Sequence, residues 1–489
     1  MPRSWVSKTV ILLLAAATTV VLIWVYISHG LKFLAPGLVV LSVFALMLFF
    51  RDVKAPFFYL LIFLLPVFIA RYLVPIPEAE HPGVLNVPVL YAYEIPLYLF
   101  ILFWGLELLS GKGTSIRLPR ATWAMAFLFV PAFVSMTLGM DYTYGLFELL
   151  RMFELFLFFL VIVNYLRSDR QLKTVFILLA ITVAAQSVLA LVQFISPYKT
   201  YDFLASFGIY MGVSHARPYD PTSPIRACGT TGYCNALAGY FELVIPLFVS
   251  LYFFYPLGKK LRRWLLVLLV MATAALLVTY SRGGFLGMIL GVIVLLLFAA
   301  RRFPQLSKHA FKITAAVAVQ LVVLLALFSE KLMMRMQFFM EQSMEDDVRV
   351  ALIRDAFEMI KHHPLFGVGL NNFPEAFAVY EITGMKFDIN YPVHNTWLLI
   401  TAEQGLFGLA AFLILMWVTF RDGLRGMRER SALHSAAAVG LTAGLVGWFA
   451  HNLVAPLYQN WLVNRMTFVF VVALLAVLPR LLPDERDAL

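Results

Sequence analysis

The sequence predicts an all-α polytopic membrane protein of about 12–14 transmembrane helices, with a large extracytoplasmic loop that contains amphipathic helices. Three observations predict it. Of the 489 residues, 62% are hydrophobic and only 13% charged, a balance that excludes a soluble globular domain. Apolar runs of roughly 17 to 25 residues recur along the chain, bounded by charge or by Gly and Pro, and that is the length a helix needs to cross about 30 Å of hydrocarbon. The net charge of +10, which in a soluble protein would suggest nucleic acid, has a topological origin here. Arg51/Lys54, Lys112/Arg117/Arg120, Arg167/Arg170/Lys173, Lys259/Lys260/Arg262/Arg263, Arg301/Arg302/Lys308/Lys312 and Arg421/Arg425/Arg428/Arg430 all fall on one side if every run crosses once. By the positive-inside rule that side is cytoplasmic.

In chain order the expected cores are 10–27, 34–50, 57–74, 89–109, 121–139, 145–165, 174–195, 235–255, 264–280, 284–300, 311–328, 395–419, 434–453 and 461–479. They divide the chain into N-terminal transmembrane helices over 1–195, an extracytoplasmic loop over 196–234, and transmembrane helices over 235–328 with an outer Ser-Arg-Gly-Gly turn. A large extracytoplasmic loop over 329–393 and C-terminal transmembrane helices over 394–489 complete it. The first run follows Arg3 and Lys8 and lacks a small-residue cleavage site, so it reads as a retained span, with a removable signal peptide as the alternative. The breaks near Gly30 and at Ser281-Arg282-Gly283-Gly284 are the ones on which the span count turns. No internal repeat stands out, which weighs against an inverted-repeat transporter.

The sixth run carries Glu148, Arg151 and Glu154, spaced so that both carboxylates share the arginine's helix face. Ionisable groups at membrane depth are functional candidates, and a self-satisfied ion cluster is the structural alternative. The loop before the eighth run holds Arg217, Arg226, Cys228 and Cys234 and leads directly into Asn235. A disulfide between the two cysteines and two free thiols both fit an outside loop. An arginine beside small residues at a helix start suits an anion, whereas an ordinary interfacial turn is the plainer reading. Arg282 opens the tenth run at a tight outer turn, where a guanidinium can hold a diphosphate bidentately; Gly283, Gly287 and Gly291 behind it read as close helix packing.

The long excursion opens with a Met- and Phe-rich face over 333–340. A helix then starts at Ser343, whose spacing to Asp346 fits a capping box. Its apolar stripe is Val348, Leu352, Ala356, Met359 and Ile360, opposed by Asp347, Arg354, Asp355, Glu358 and Lys361, so it lies along the membrane surface. The acidic run Glu345-Asp346-Asp347 reads as caps and dipole partners rather than a metal site. His394 then stands at the mouth of the twelfth run with Asn395 beside it and Glu403 further in. An imidazole there can take a proton or orient a hydroxyl near neutral pH, and an interfacial anchor is the alternative. His451, Asn452 and Arg465 read as helix anchors.

Taken together these residues resemble a known family. Arg226 with Gly229, Thr230, Asn235 and Ala238, then Ser281-Arg282-Gly283-Gly284, then Arg349, Met359-Ile360 and Pro364-Leu365-Phe366-Gly367-Val368-Gly369, then His394-Asn395 with Glu403 and Gly405, resemble the O-antigen ligase and O-antigen polymerase superfamily over roughly residues 225–408. Tyr233-Cys234 departs from its pattern, and the chain has about two more runs than the spans of the ligases. The resemblance implies a C-type glycosyltransferase of the bacterial inner membrane, facing the periplasm, that uses a polyprenyl-diphosphate-linked glycan, inverts the anomeric centre and needs no metal or cofactor. It implies that His394 is the catalytic residue on the acceptor side and that Arg226 and Arg282 hold the donor diphosphate. Arg349 and Arg217 are further donor candidates, with Asn235, Asn395, Glu403 and Arg151 in support. Residues 28–32 lack the acidic groups with which other polyprenyl-dependent transferases hold a metal.

Three functions follow as expectations. The favoured one is ligation of a finished glycan to lipid A core. Polymerisation of lipid-linked repeat units, or transfer to a protein hydroxyl, would use the same donor, because acceptor choice lies in cavity shape. A transporter for an anion or a lipid-linked sugar, with Glu148, Arg151 and Glu154 as a coupling path, is the reading from another class.

Overall fold

Each apolar run in the described part of the chain becomes helical, with one main exception at 57–74 and the first residues of 89–109, which form a strand paired with it. A computed structural model describes residues 52–72, 89–111, 115–196, 200, 226–303, 343–381, 392–460 and 462–481. The runs expected at 10–27, 34–50 and 311–328, the apolar face at 333–340 and Arg217 lie outside the described residues. In order, the elements are α1 (Ala55–Phe63), β1 (Ala70–Tyr72), β2 (Val89–Tyr91), α2 (Glu94–Leu109), α3 (Arg120–Phe127), α4 (Phe129–Leu138), α5 (Tyr142–Tyr165) and α6 (Asp169–Ile195). They continue with α7 (Cys234–Phe254), α8 (Lys259–Leu277), α9 (Arg282–Arg302), α10 (Ser343–His362), α11 (Phe373–Tyr380), α12 (Thr396–Gly426), α13 (Ala432–His451), α14 (Leu457–Asn460) and α15 (Leu462–Val477). Among the described residues, seven helical stretches are long and apolar enough to cross a membrane. The protein is thus an all-α polytopic membrane protein.

The exception is 57–74. Pro66 has no N–H to continue a helix and disfavours the α conformation at Leu65, so α1 stops after nine residues, about 14 Å, too short to cross. The chain turns into β1, which pairs antiparallel with β2 in the register Ala70↔Tyr91, Arg71↔Leu90, Tyr72↔Val89.

Helices α7, α13 and α15 are almost wholly buried and form the centre of the bundle, while α6 and α9 expose much of their surface. Small residues set the close approach of α13 to its neighbours, as membrane packing requires. A Cβ on Gly440 would lie 2.5 Å from Leu247 Cα, and one on Gly447 would lie 2.3 Å from the Gly287 carbonyl oxygen. At the end of the bundle where α6 and α13 begin, buried Asp169 and His434 meet at 2.5 Å.

At the other end, the segment before α7 enters the bundle with its backbone satisfied by two glutamines of α6. Gln193 Oε1 accepts from the N–H groups of Cys228 and Gly229 at 3.1 and 2.8 Å, and Gln186 Oε1 accepts from Thr230 N–H at 2.9 Å. These contacts answer the demand that buried loop amides find partners. Cys228 and Cys234 form a disulfide that closes this loop.

The α10 stripe buries Leu352, Ala356 and Met359 as expected, but Asp355, expected on the polar side, is buried too. Val350, Ile353 and Phe357 are exposed on its other face. The helix begins at Ser343 as its sequence suggests, and the side chains of its first turn lie outside the described residues.

Candidate active site

The Pro-Leu-Phe-Gly-Val-Gly segment is a splint for a broken helix. Within α12, Gly405 has φ 66° and ψ −168°, which interrupts the helical hydrogen bonds of a 31-residue element. The carbonyls and amides released there find partners in residues 364–369. Val368 N–H donates to the Ala402 carbonyl at 2.9 Å and Gly369 N–H to the Glu403 carbonyl at 3.1 Å, while Leu406 N–H donates to the Pro364 carbonyl at 2.8 Å and Phe407 N–H to that of Leu365 at 3.3 Å. Glycine is required on both sides of the contact. Gly367 has φ 71° and a Cβ there would lie 2.2 Å from the Glu403 carbonyl carbon; a Cβ on Gly405 would lie 2.2 Å from that of Leu365.

Glu403 belongs to this joint. Its backbone carbonyl also accepts from Ser135 Oγ at 2.6 Å, and its carboxylate accepts from Phe373 N–H, at the start of α11, at 3.3 Å. The break therefore fixes the first turns of α12, which carry the site histidine ahead of them.

Asn395 caps α12 by accepting from the N–H groups of Trp397 and Leu398 at 2.9 and 3.1 Å, satisfying two of the orphan donors of the helix start. His394 precedes it, half-buried, and its Nδ1 is buried without a hydrogen-bond partner among the described residues. Burial and then the nearby Arg349 guanidinium disfavour the imidazolium, with the Pro392 carbonyl offsetting part of this, and the pKa is brought down to about 4. At neutral pH His394 is an unprotonated ring able to accept a proton. Arg349, on α10, thus belongs with His394.

Arg226 sits where α7 and the α8–α9 turn meet. Its Nε donates to the Thr279 carbonyl at 2.8 Å and its Nη2 to Asn235 Oδ1 at 2.6 Å. Ala227 N–H also donates to the Val278 carbonyl at 3.0 Å. Arg226 and Asn235 are thereby brought together, three residues ahead of Arg282 in the bonded strand. Arg282 is exposed at the first position of α9, whose cap is Ser281 Oγ accepting from Gly284 N–H at 3.2 Å. The break at Ser281-Arg282-Gly283-Gly284 is real, with Tyr280 at φ 50° making the turn.

Two helix starts are joined through the end of α13. His451 lies against Gly283, and the neighbouring Asn452 accepts from Thr396 at the start of α12, through its carbonyl at 2.9 Å and its Oδ1 at 2.7 Å. The segments that carry Arg226, Arg282 and His394 hence meet at one end of the bundle, and Arg349 lies close enough to His394 to act on its charge.

Arg151 is not part of this group by any described contact. It donates to Tyr93 Oη at 2.7 Å and Glu94 Oε1 at 2.5 Å, pairs with Glu154, and stacks over the Tyr91 ring. Glu148 does not share this cluster, although the spacing places it on the same face. It pairs with Arg465 of α15, which donates from Nη1 and Nη2 to its two oxygens at 3.0 and 2.5 Å. Arg465 is therefore the partner of Glu148 rather than an interfacial anchor. Glu148, Arg465, Glu403 and Tyr458 line a cavity of about 30 Å³, room for one or two waters.

Residues 243–413, which include Arg282, Arg349, His394 and Glu403, match the family model described as O-antigen ligase, which supports the resemblance to the O-antigen ligase and polymerase superfamily. No curated protein matches the chain significantly.

Proposed function

We propose that the protein transfers a glycan from a polyprenyl diphosphate carrier to an acceptor hydroxyl, with lipid A core as acceptor, at the outer leaflet of the bacterial inner membrane. His394 is the observation that carries this reading: a half-buried imidazole, unprotonated at neutral pH, whose Nδ1 has no partner among the described residues and can orient an acceptor hydroxyl or take up its proton. In the reaction so read, the acceptor oxygen forms a bond to the anomeric carbon as its proton passes to His394. The bond from that carbon to the diphosphate oxygen breaks on the opposite face, and the departing electron pair leaves with the diphosphate. A single displacement of this kind inverts the centre. Arg226 and Arg282 stabilise the charge that grows on the leaving group, together with the N–H groups at the start of α9. Arg349 keeps His394 unprotonated. The scheme routes no step through a metal.

The test is transfer by purified protein from a polyprenyl-diphosphate glycan to lipid A core or to a lipid-linked glycan, with and without chelator. Wild type is compared with His394→Ala and Arg282→Ala. Product on lipid A core that both substitutions abolish and chelator spares is expected. Lengthened lipid-linked chains would make the protein a polymerase, and transfer unaffected by either substitution would remove the site. The transporter reading has less support, because Arg151 and Glu148 are engaged in separate closed ion clusters rather than one path.

A further inference from the structure

Beneath the first turn of α9 runs a chain of buried polar groups that the reaction scheme does not use. His451 Nδ1 donates to Glu242 Oε2 at 3.0 Å, and Ser281 Oγ lies 3.4 Å from His451 Nε2. All three residues are at most 2% exposed. Their chemistry fixes the proton positions. A carboxylate only accepts, so Nδ1 carries the ring proton, and the Nε2 of a neutral ring then accepts from the Ser281 hydroxyl. The same Ser281 oxygen accepts from Gly284 N–H as the cap of α9. With its proton given to His451, one lone pair taken by Gly284 N–H and its side chain buried, Ser281 serves as a structural link.

Space for this chain is provided by the glycines behind Arg282. A Cβ on Gly283 would lie 2.3 Å from His451 Cδ2, and one on Gly287 would lie 2.4 Å from Glu242 Oε1. What the spacing suggests is apolar packing therefore houses an imidazole and a carboxylate. Glu242 Oε1 has no partner, so this arrangement is less favourable than apolar side chains of the same volume would be. Such a chain is retained for geometry rather than stability.

The geometry concerns both sides of the site. His451 grips the start of α9 through Ser281, and the next residue, Asn452, grips the start of α12 through Thr396. One two-residue turn thus joins the helix that opens with Arg282 to the helix that opens just after His394.

We propose that the His451–Asn452 turn is a positioning brace: Glu242, His451 and Ser281 hold Arg282 where the donor diphosphate binds, and Asn452 with Thr396 holds His394 at a set distance from it. The proposal rests on the donor-site reading of Arg282 given above. None of the five brace residues touches the reacting atoms.

Undecaprenyl diphosphate, titrated onto the detergent-purified full chain, is the probe, with transfer kinetics alongside. His451→Phe should weaken probe binding about tenfold, while His451→Gln, which keeps one donor and one acceptor, should stay within about threefold of wild type. Asn452→Ala should leave both the affinity and the stoichiometry of probe binding unchanged, lower kcat per probe-binding molecule about tenfold with donor KM unaltered, and raise the acceptor KM. A merely structural role would instead reduce the active fraction and leave every KM alone. If His451→Phe does not fold, Ser281→Ala cuts the chain at its other end and is expected to weaken the probe about threefold or more. Wild-type probe affinity in His451→Phe, or in Ser281→Ala where that variant replaces it, overturns the brace. Should Arg282→Ala bind the probe normally, the donor-site reading fails, and the brace with it; weak binding by Arg282→Ala beside normal binding by His451→Phe sinks the brace alone.

Discussion

His394 and the Glu148–Arg465 pair are built in opposite ways. Arg465 and Glu148 come from helices far apart in sequence and are joined by two parallel hydrogen bonds inside the bundle, beside a small cavity. His394 stands at a helix mouth with one ring nitrogen buried and unanswered. The first is a lock: neither charge is available to a third party, and removing one strands the other. The second is an open position whose natural partner is something that enters.

Experiments can break or sharpen that contrast. The largest expected effect is on catalysis at the open position: His394→Ala should lower transfer about 10²–10⁴-fold, with thermal stability and donor binding near wild type, as measured by single-turnover kinetics and melting curves. Loss of folding instead would make His394 another structural group. At the closed position the outcome should invert. Arg465→Met leaves a buried carboxylate alone and should destabilise the protein by about 3–5 kcal/mol, whereas Arg465→Met combined with Glu148→Leu should recover most of that, both read from detergent unfolding curves. If the double variant is as unstable as the single, the pair is not the lock described.

The pH dependence follows next. Because burial and Arg349 bring His394 to about 4, kcat/KM should hold level down to about pH 5 and fall in a limb near pH 4. An ordinary histidine would put that limb near 6.5. Arg349→Ala should move the limb upward. Stability carries the same sign: as pH falls from 6.5 towards 4 the unfolded chain takes up a proton that folded His394 refuses, so stability declines across that window, and His394→Gln removes this part of the slope. The smallest effect is expected at Asn395→Ala, which removes a helix cap and should destabilise by about 1 kcal/mol, with activity falling because His394 loses its seat.

The sequence made most helices legible because the bilayer imposes a length and an apolar content that hydropathy reads directly; the run at 174–195 becomes Asp169–Ile195, and the outer break before Arg282 falls as its Ser-Arg-Gly-Gly spelling implies. What was not legible depends on partners distant in the chain. The apolar run at 395–419 gives no sign that Gly405 interrupts it, because the lost hydrogen bonds are restored by residues 364–369. Helical spacing groups Glu148 with Arg151, yet a carboxylate on a helix can turn to a neighbouring helix, and Arg465 was there. Glu242, an acid inside an otherwise apolar run, was the available sign of the His451 chain. The candidate site was legible as a set of residues through its motifs. That Arg349 attends His394, and that Asn235 attends Arg226, required the structure.

The splint at Gly405 also bears on how such proteins can be recombined. Residues 364–369 and 402–407 form a single hydrogen-bonded unit assembled from two separate stretches of chain. A chimaera that exchanges the segment 343–381 for that of another enzyme, while cutting the chain between 381 and 392, would divide this unit between two parents. Crossovers placed before 343 and after 408 keep both halves together, so the excursion and the first turns of α12 are inherited as one cassette.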